Sequence, residues 1–361
     1  MIPVTKPFLP PQEEYLKYVK GIWQRNWLTN HGPLVNELEL QLKTYLNVPY
    51  LLYTGNGTIA IQMAIKALAL TGKIITTPFS YVATTSSIVW ENNTPTFVDI
   101  CPDTFNIDAE LIEQAITKDT VAILATHVFG NPCAVERIAS IADKHQLKVI
   151  YDAAHCFGTN YKAQSILNYG DISTLSLHAT KLCHSVEGGA VVTSDKALYQ
   201  KLGLLRNFGH TSPTTFAGVG INAKNSEFHA AMGLCNLTYI DEILKLRKKQ
   251  YQYYQEKLQT LQVTFQKIMP DTNYNHAYFP IVFSSEHQLL DSIQALNTYH
   301  ILPRRYFMPS LNTLDYVAQQ ACPVSERVAK CILCLPLYHT LSKEEQDLVC
   351  QILLKVQNNA L

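Results

Sequence analysis

The 361-residue chain has no apolar run approaching the roughly 20 residues a membrane-spanning helix requires. It has no surplus of either charge: 29 Lys and Arg balance 29 Asp and Glu, and neither sign forms a long block. Electrostatic nucleic-acid binders carry a basic excess or stripe, so that class is set aside. The opening MIPVTKPFLPPQEEY offers prolines and then charges where a secretory leader needs an apolar stretch. These absences predict a cytoplasmic protein without nucleic acid or membrane as partner. There is also no Gly/Ser-rich linker, low-complexity tract or internal repeat, which predicts packed domains with a cleft between them. The nine cysteines are odd in number and scattered. The one close pair, Cys331 and Cys334 in AKCILCLPLY, has no second pair beside it, and reads as part of a buried strand with free thiols.

Apolar residues make up 47% of the chain and charged residues 16%, the balance of a globular enzyme large enough for two domains. Pro11 opens a helix with Leu16, Val19 and Trp23 at helical spacing. YLLYT then reads as a strand running into GNGT, with a helix from Ile59. The alternation continues through KIITTP (strand), YVATTSSIVW (helix), PTFVDI and VAILAT (strands), AVERIASIADKH (helix) and KVIYDAAH (strand). Continuous apolar strands separated by amphipathic helices predict an α/β fold with a parallel sheet covered on both faces. Near Asp241 the character changes to a long polar helix, then VTFQKI, YFPIVF, a helix from Glu286 and a last helix capped by Ser342. The expected division is a large domain over 1–241 and a smaller α+β domain over 242–361.

Three segments carry chemistry. GNGT, Gly55 to Thr58, lies between a strand and a helix, where free amides and glycines favour a phosphate, although a plain turn is the bland alternative. Gly55, Gly57 and Ala60 also match the G-x-G-x-x-A dinucleotide fingerprint. That reading needs an acid after the next strand to hold a ribose, and no Asp or Glu occurs between Gly57 and Trp90. In KVIYDAAH, Asp152 sits where a parallel strand ends, the edge at which ligands collect. Its carboxylate would suit a pyridinium nitrogen. In SLHATKLCHSVEGGAVVT, a strand to about His178 delivers Lys181 to a loop, and a lysine withdrawn from water loses its proton more readily. Taken alone, Lys181 reads more readily as a solvated loop lysine. His178 and His184 lack a third ligand at metal-binding spacing, so no metal is expected.

Together these segments resemble the sugar aminotransferases of the DegT/DnrJ/EryC1/StrS group. KPFLPP, WLTNHGPL, NGTIAIQMAI, TTPFSYVATTSSIVW, PTFVDICPDTFNID, HVFGNP, YDAAH, SLHATK with EGGAVVT, GINAKNSEFHAAMGL and LPLYHTLSKEE carry the likeness along nearly the whole chain. The resemblance implies the fold type I aminotransferase architecture and pyridoxal 5'-phosphate (PLP) as cofactor. Lys181 would form the Schiff base and shuttle a proton between the donor Cα and cofactor C4′. Asp152 would pair with the pyridinium nitrogen, His155 would lie on the O3′ side, and Tyr81 would stack on the ring. Gly57, Thr58 and Ser176 would hold the phosphate, and Asn222 would reach the phosphate of the neighbouring subunit, with Lys224 beside it. Two positions depart from the family pattern: Lys224 replaces a common Arg, and Leu177 replaces an aromatic.

The implied reaction is a two-stage transamination. L-glutamate gives its amine to the cofactor, and a nucleotide-linked keto-6-deoxyhexose, such as a dTDP-4-keto-6-deoxyhexose, takes it for surface polysaccharide or O-antigen synthesis. The same likeness implies a homodimer with shared active sites. A PLP-dependent sugar dehydratase and an NAD-dependent sugar oxidoreductase remain alternatives. Lys181 stands against the dehydratase branch that has His there, and the missing ribose acid stands against the oxidoreductase.

Overall fold

A computed structural model describes residues 1–359. The chain opens with α1 (Gln12–Arg25), beginning just after Pro11, and α2 (Pro33–Tyr45). Strands and helices then alternate: β1 (Tyr50–Thr54), α3 (Gly57–Ala67), β2 (Lys73–Thr76), α4 (Val82–Trp90), β3 (Thr94–Phe97), β4 (Thr120–Thr126), α5 (Val135–His145), β5 (Lys148–Asp152), β6 (Ile172–Ser176), β7 (Gly189–Thr193) and α6 (Lys196–Leu205). The strands form one seven-stranded sheet in the order β1-β7-β6-β5-β4-β2-β3. Alternate side chains enter opposite cores: Ile74, Leu124 and Ile150 pack on one face, Ile75, Ile123 and Tyr151 on the other. Burial on both faces is why these strands read as unbroken apolar runs.

Neighbouring strands from β6 through β5, β4 and β2 to β3 pair in parallel, whereas β7 runs antiparallel to both β1 and β6. The sheet is thus mostly parallel, and the one reversed strand has a physical reason. A loop, not a crossover helix, joins β6 to β7, and a chain that turns straight back pairs antiparallel. β6 also ends at Ser176, two residues before the expected His178. Consequently the ends of β1, β4, β5 and β6, and the start of β7, all lie on one edge of the sheet.

The remaining elements are α7 (Glu227–Thr238), α8 (Ile240–Lys257), β8 (Val263–Phe265), β9 (Phe279–Phe283), α9 (Glu286–Thr298), α10 (Pro323–Cys331), β10 (Ile332–Leu335) and α11 (Lys343–Asn359). The strand expected around AKCILCLPLY begins only at Ile332. Cys331 instead ends α10, a helix entered at Pro323. Strands β8, β9 and β10 form an antiparallel sheet. Phe279, Ile281, Leu333 and Leu335 face a C-terminal core, while Val282, Ile332 and Cys334 face the core of the large sheet. Ile2–Pro3 pairs in parallel with Ile301–Leu302, so the first residues join the C-terminal part. Ser342 and Glu345 exchange backbone-to-side-chain hydrogen bonds of 2.9 and 3.1 Å, a capping box that starts α11.

Glu227 ties the N-terminal helices to this frame. It is fully buried at the start of α7, and its carboxylate accepts from the Leu34 and Val35 amides at 3.1 and 2.9 Å. Those amides begin α2, where the helix dipole favours an anion. Arg25 lies 3.6 Å away. Glu227→Gln presents a donor to donors, and a buried group left unsatisfied costs about 1–3 kcal/mol. Urea unfolding should show a lowered midpoint; an unchanged midpoint would mean the α2 start is held by other contacts.

Candidate active site

The shared edge of the sheet opens into a cavity of about 640 Å³. The β1–α3 turn forms one end. Asn56 accepts from the Ile59 amide at 2.8 Å through its side chain and from Ala60 at 3.3 Å through its carbonyl. The first two helical amides, Gly57 and Thr58, are left without a partner among the described residues, as expected at a helix start. The backbone of β7 presses on this turn. A Cβ at Gly189 would collide with the Asn56 carbonyl and lie 2.7 Å from the Gly57 amide, so the second glycine of EGG is a steric requirement. Ser176 closes the same corner: a Cβ at Gly57 would meet the Ser176 Cβ at 3.1 Å.

At the other end, β5 delivers Asp152, 5% exposed. Its Oδ2 accepts from the Thr84 hydroxyl at 2.7 Å and its Oδ1 from the Ala154 amide at 3.1 Å. Burial pushes this carboxyl up, against the pull of those two donors and of the Lys181 charge. Three residues on, the Phe129 amide donates to His155 Nδ1 at 3.2 Å. That acceptor role places the imidazole proton on Nε2. Burial, with Lys181 adding to it, holds His155 well below the usual histidine range, so it stays neutral.

Lys181 reaches the cavity from the loop between β6 and β7. The loop is tied across itself by Leu177 N to Gly188 O at 2.8 Å, Ala179 N to Val186 O at 2.7 Å and Ser185 N to Leu177 O at 2.9 Å. The lysine is half-buried, with its remaining surface lining the cavity. Loss of water pushes its ammonium down to about 8, opposed by the Asp152 charge. Tyr81, just before α4, lines the wall and is 59% exposed, a flat surface without a stacking partner.

The chemistry of this set fits pyridoxal phosphate. Free helix-start amides with Ser176 would take the phosphate, and Asp152 would accept from a protonated pyridine nitrogen. His155 Nε2–H would face the ring hydroxyl oxygen, Tyr81 would stack, and Lys181 lines the same cavity. An α/β sheet with this lysine and carboxylate on one edge defines a fold type I PLP-dependent aminotransferase. The DegT/DnrJ/EryC1/StrS aminotransferase family model matches residues 11–354, and the chain belongs to that family. It is 40% identical over 349 residues to a dTDP-4-amino-4,6-dideoxy-D-glucose transaminase of Shigella dysenteriae, covering 94% of this chain and 95% of the relative. An Escherichia coli transaminase of the same name is 39% identical over 363 residues, with 98% of each chain covered. The crystal structure of DesI in the presence of its TDP-sugar product superposes with a TM-score of 0.94 at 30% identity, covering 99% of this chain and 93% of that one.

Of the residues singled out from the sequence, Gly57, Thr58, Tyr81, Asp152, His155, Ser176 and Lys181 line the one cavity. Asn222 and Lys224 do not. Asn222 is exposed, and Lys224 Nζ donates to Asn207 Oδ1 at 2.8 Å, 4.8 Å from the Phe208 ring centre. Sequence reading missed Ser80, Thr126, Arg304 and Tyr306, which also line the cavity. The run of hydroxyls in TTPFSYVATTSS was a signal for Ser80. Nothing local distinguishes Arg304.

Covalent capture of the cofactor needs the neutral amine of Lys181. With the ammonium titrating at about 8, the neutral fraction falls roughly tenfold for each pH unit below that point. The rate at which the protein freed of cofactor takes up pyridoxal phosphate should therefore rise with pH and level off above about 8. Stopped-flow absorbance would follow it, with Lys181→Ala as a silent control. A pH-independent rate would mean that the lysine is already neutral or that another step limits capture.

Proposed function

We propose that this enzyme moves the amino group of L-glutamate to the keto carbon of a dTDP-linked 4-keto-6-deoxyhexose, yielding the 4-amino sugar for surface polysaccharide. The observation that carries the reading is near-full-length similarity to two relatives named for a dTDP-4-amino-4,6-dideoxy-D-glucose, together with the site's Lys181–Asp152 pair. The cavity supports it. Arg304 lines the cavity with no carboxylate partner among the described residues, whereas its neighbour Arg305 is held by Glu286 at 2.7 Å and the Lys330 carbonyl at 2.8 Å. A free guanidinium suits substrates that carry carboxylates or a diphosphate.

Bound pyridoxal phosphate supplies a carbonyl that condenses with amines and a protonated ring that accepts electron density. The chain's own residues do the rest. Lys181 Nζ, about half of it neutral near pH 8, would take the proton from the donor Cα and deliver it to cofactor C4′; with the keto-sugar it would carry a proton the other way, to the sugar carbon. Asp152 would hold the proton on the ring nitrogen throughout. His155 would orient the ring through its Nε2–H, and the tied β6–β7 loop would keep the amine aligned. Lys181 speaks against a dehydratase built on histidine, and Thr76 and Thr77 stand where an oxidoreductase would need its ribose acid after β2.

We also propose a cytoplasmic homodimer with two composite sites. The segment between α6 and α7 supports this: Phe216, Val219 and Ile221 are exposed there at 60%, 79% and 41%, next to Asn222. Among the described residues no helix is long and apolar enough to cross a membrane.

With PLP, L-glutamate and dTDP-4-keto-6-deoxyglucose, the purified protein should release 2-oxoglutarate and a dTDP-4-amino sugar, both followed by NMR. Release of 2-oxoglutarate without an aminated sugar across a panel of dTDP-, UDP- and GDP-linked keto-sugars would rule out the substrate class. Failure of Lys181→Ala to abolish both products would rule out the mechanism.

Composite sites predict complementation. Lys181→Ala and Asn222→Ala chains, each crippled alone, should regain activity when subunits exchange, because one site of each heterodimer carries neither lesion. A random mixture should reach about a quarter of wild-type activity on this symmetry. No recovery despite demonstrated exchange would place Asn222 within its own chain's work.

A further inference from the structure

Several buried hydroxyls in this fold donate to backbone carbonyls, as Thr76 does to Leu124 at 2.8 Å. Three hydroxyls at and just behind the cavity wall do otherwise. Thr126, at the end of β4, donates to the Ser80 hydroxyl at 3.0 Å. Ser80 and Thr84 lie 2.7 Å apart, and Thr84 donates to Asp152 Oδ2 at 2.7 Å. All are nearly sealed from water, with exposures of 3%, 1% and 0% for Thr126, Ser80 and Thr84. Each hydroxyl carries one proton. Since Thr126 donates to Ser80, and Thr84 spends its proton on Asp152, the Ser80 proton goes to Thr84. Every bond therefore points toward the carboxylate.

A chain with that polarity matters because burial favours the neutral acid at Asp152, and a neutral acid cannot hold a proton on a pyridine nitrogen. The charged neighbour Lys181 helps only while it is protonated, and the reaction requires it neutral. Cys156, the other titratable group beside Asp152, is held as a thiol by burial. The hydroxyls are fixed dipoles whose contribution persists whatever the state of Lys181, and each polarises the next in a dry setting. Register supports the arrangement: Thr126 and Asp152 are partners across β4 and β5. The adjacent Thr85 hydroxyl is buried with no partner among the described residues, so the hydroxyl-rich sequence alone does not produce the chain.

We infer that Thr126, Ser80 and Thr84 form a one-way donor chain that keeps Asp152 an acceptor-only anion toward the ring nitrogen, with Thr84 the decisive positioning residue. This rests on the assignment of Asp152 to that nitrogen.

The test uses holoenzyme loaded with pyridoxal phosphate carrying ¹⁵N in the ring, whose chemical shift reports protonation of that nitrogen. Thr84→Val keeps the shape and removes the hydroxyl; Thr84→Ser keeps the hydroxyl and removes a methyl. Thr84→Val should move the shift toward the unprotonated position and slow the glutamate half-reaction about 10- to 100-fold, the range for losing a hydrogen bond to a charged group. Thr84→Ser should retain the wild-type shift and a rate within about threefold of it. A double variant, Ser80→Ala with Thr126→Val, should shift the signal in the same direction by less, and it decides the matter if Thr84→Val does not fold. An unmoved shift in Thr84→Val, or in the double variant when that is the one available, overturns the inference. So does a Thr84→Ser enzyme as impaired as Thr84→Val, which would make Thr84 a packing residue. Asp152→Asn separates the two levels: if it too leaves the shift unmoved, the assignment of Asp152 falls; if it moves the shift while Thr84→Val does not, only the donor chain falls.

Discussion

Two opposite charges share a space from which most water is excluded, and the rest of the site is arranged around that constraint. Desolvation pushes Lys181 toward the neutral amine and Asp152 toward the neutral acid, while their mutual attraction pushes both back. The chemistry needs an asymmetric outcome, a neutral amine beside an ionised carboxylate. Extra donors at Asp152 tip the balance that way. Thr84 and the Ala154 amide both act on the acid, and for the lysine only desolvation and the Asp152 charge contribute. A lysine with its own strong acceptor would stay charged and could not serve as a base.

The sheet makes this possible by collecting chain ends. Parallel strands place their carboxyl ends on one edge, so residues far apart in sequence converge there. The antiparallel β7 adds a second device. Because it returns without a crossover helix, Lys181 sits in a loop tied across itself, and the start of β7 packs on the turn at Asn56 and Gly57 through Gly189. The C-terminal sheet then covers the edge, bringing Tyr278, Arg304, Tyr306 and Phe307 into the cavity wall. Burial at this edge is the largest influence on the charge balance of Asp152 and Lys181.

Much of the fold was legible because strand and helix periods are local properties. The apolar runs of β4 and β5, the helix start at GNGT and the Ser342 cap can be read within a few residues. The reading failed where the determinant was not local. The run AKCILCLPLY reads as strand throughout, whereas the end of α10 at Cys331 depends on where the chain enters the C-terminal sheet. Within the site, residues in distinctive strings were found: Lys181 in HATK, Asp152 and His155 in YDAAH, Gly57 and Thr58 in GNGT. Arg304 escaped, since an arginine beside a second arginine carries no local mark of which one faces a cavity.

The sequence by itself determined the class of chemistry. It placed a lysine, a carboxylate and a glycine turn after strands of an alternating α/β chain, and it omitted the acid that a dinucleotide would need. Only the tertiary structure decided which hydroxyls matter. Thr84 and Thr85 are adjacent and chemically identical, yet one donates to Asp152 and the other has no partner among the described residues. On a helix, successive side chains point about 100° apart, so only one of two neighbours can face the end of β5. That direction is set by how α4 packs on the sheet, which no neighbouring residue specifies.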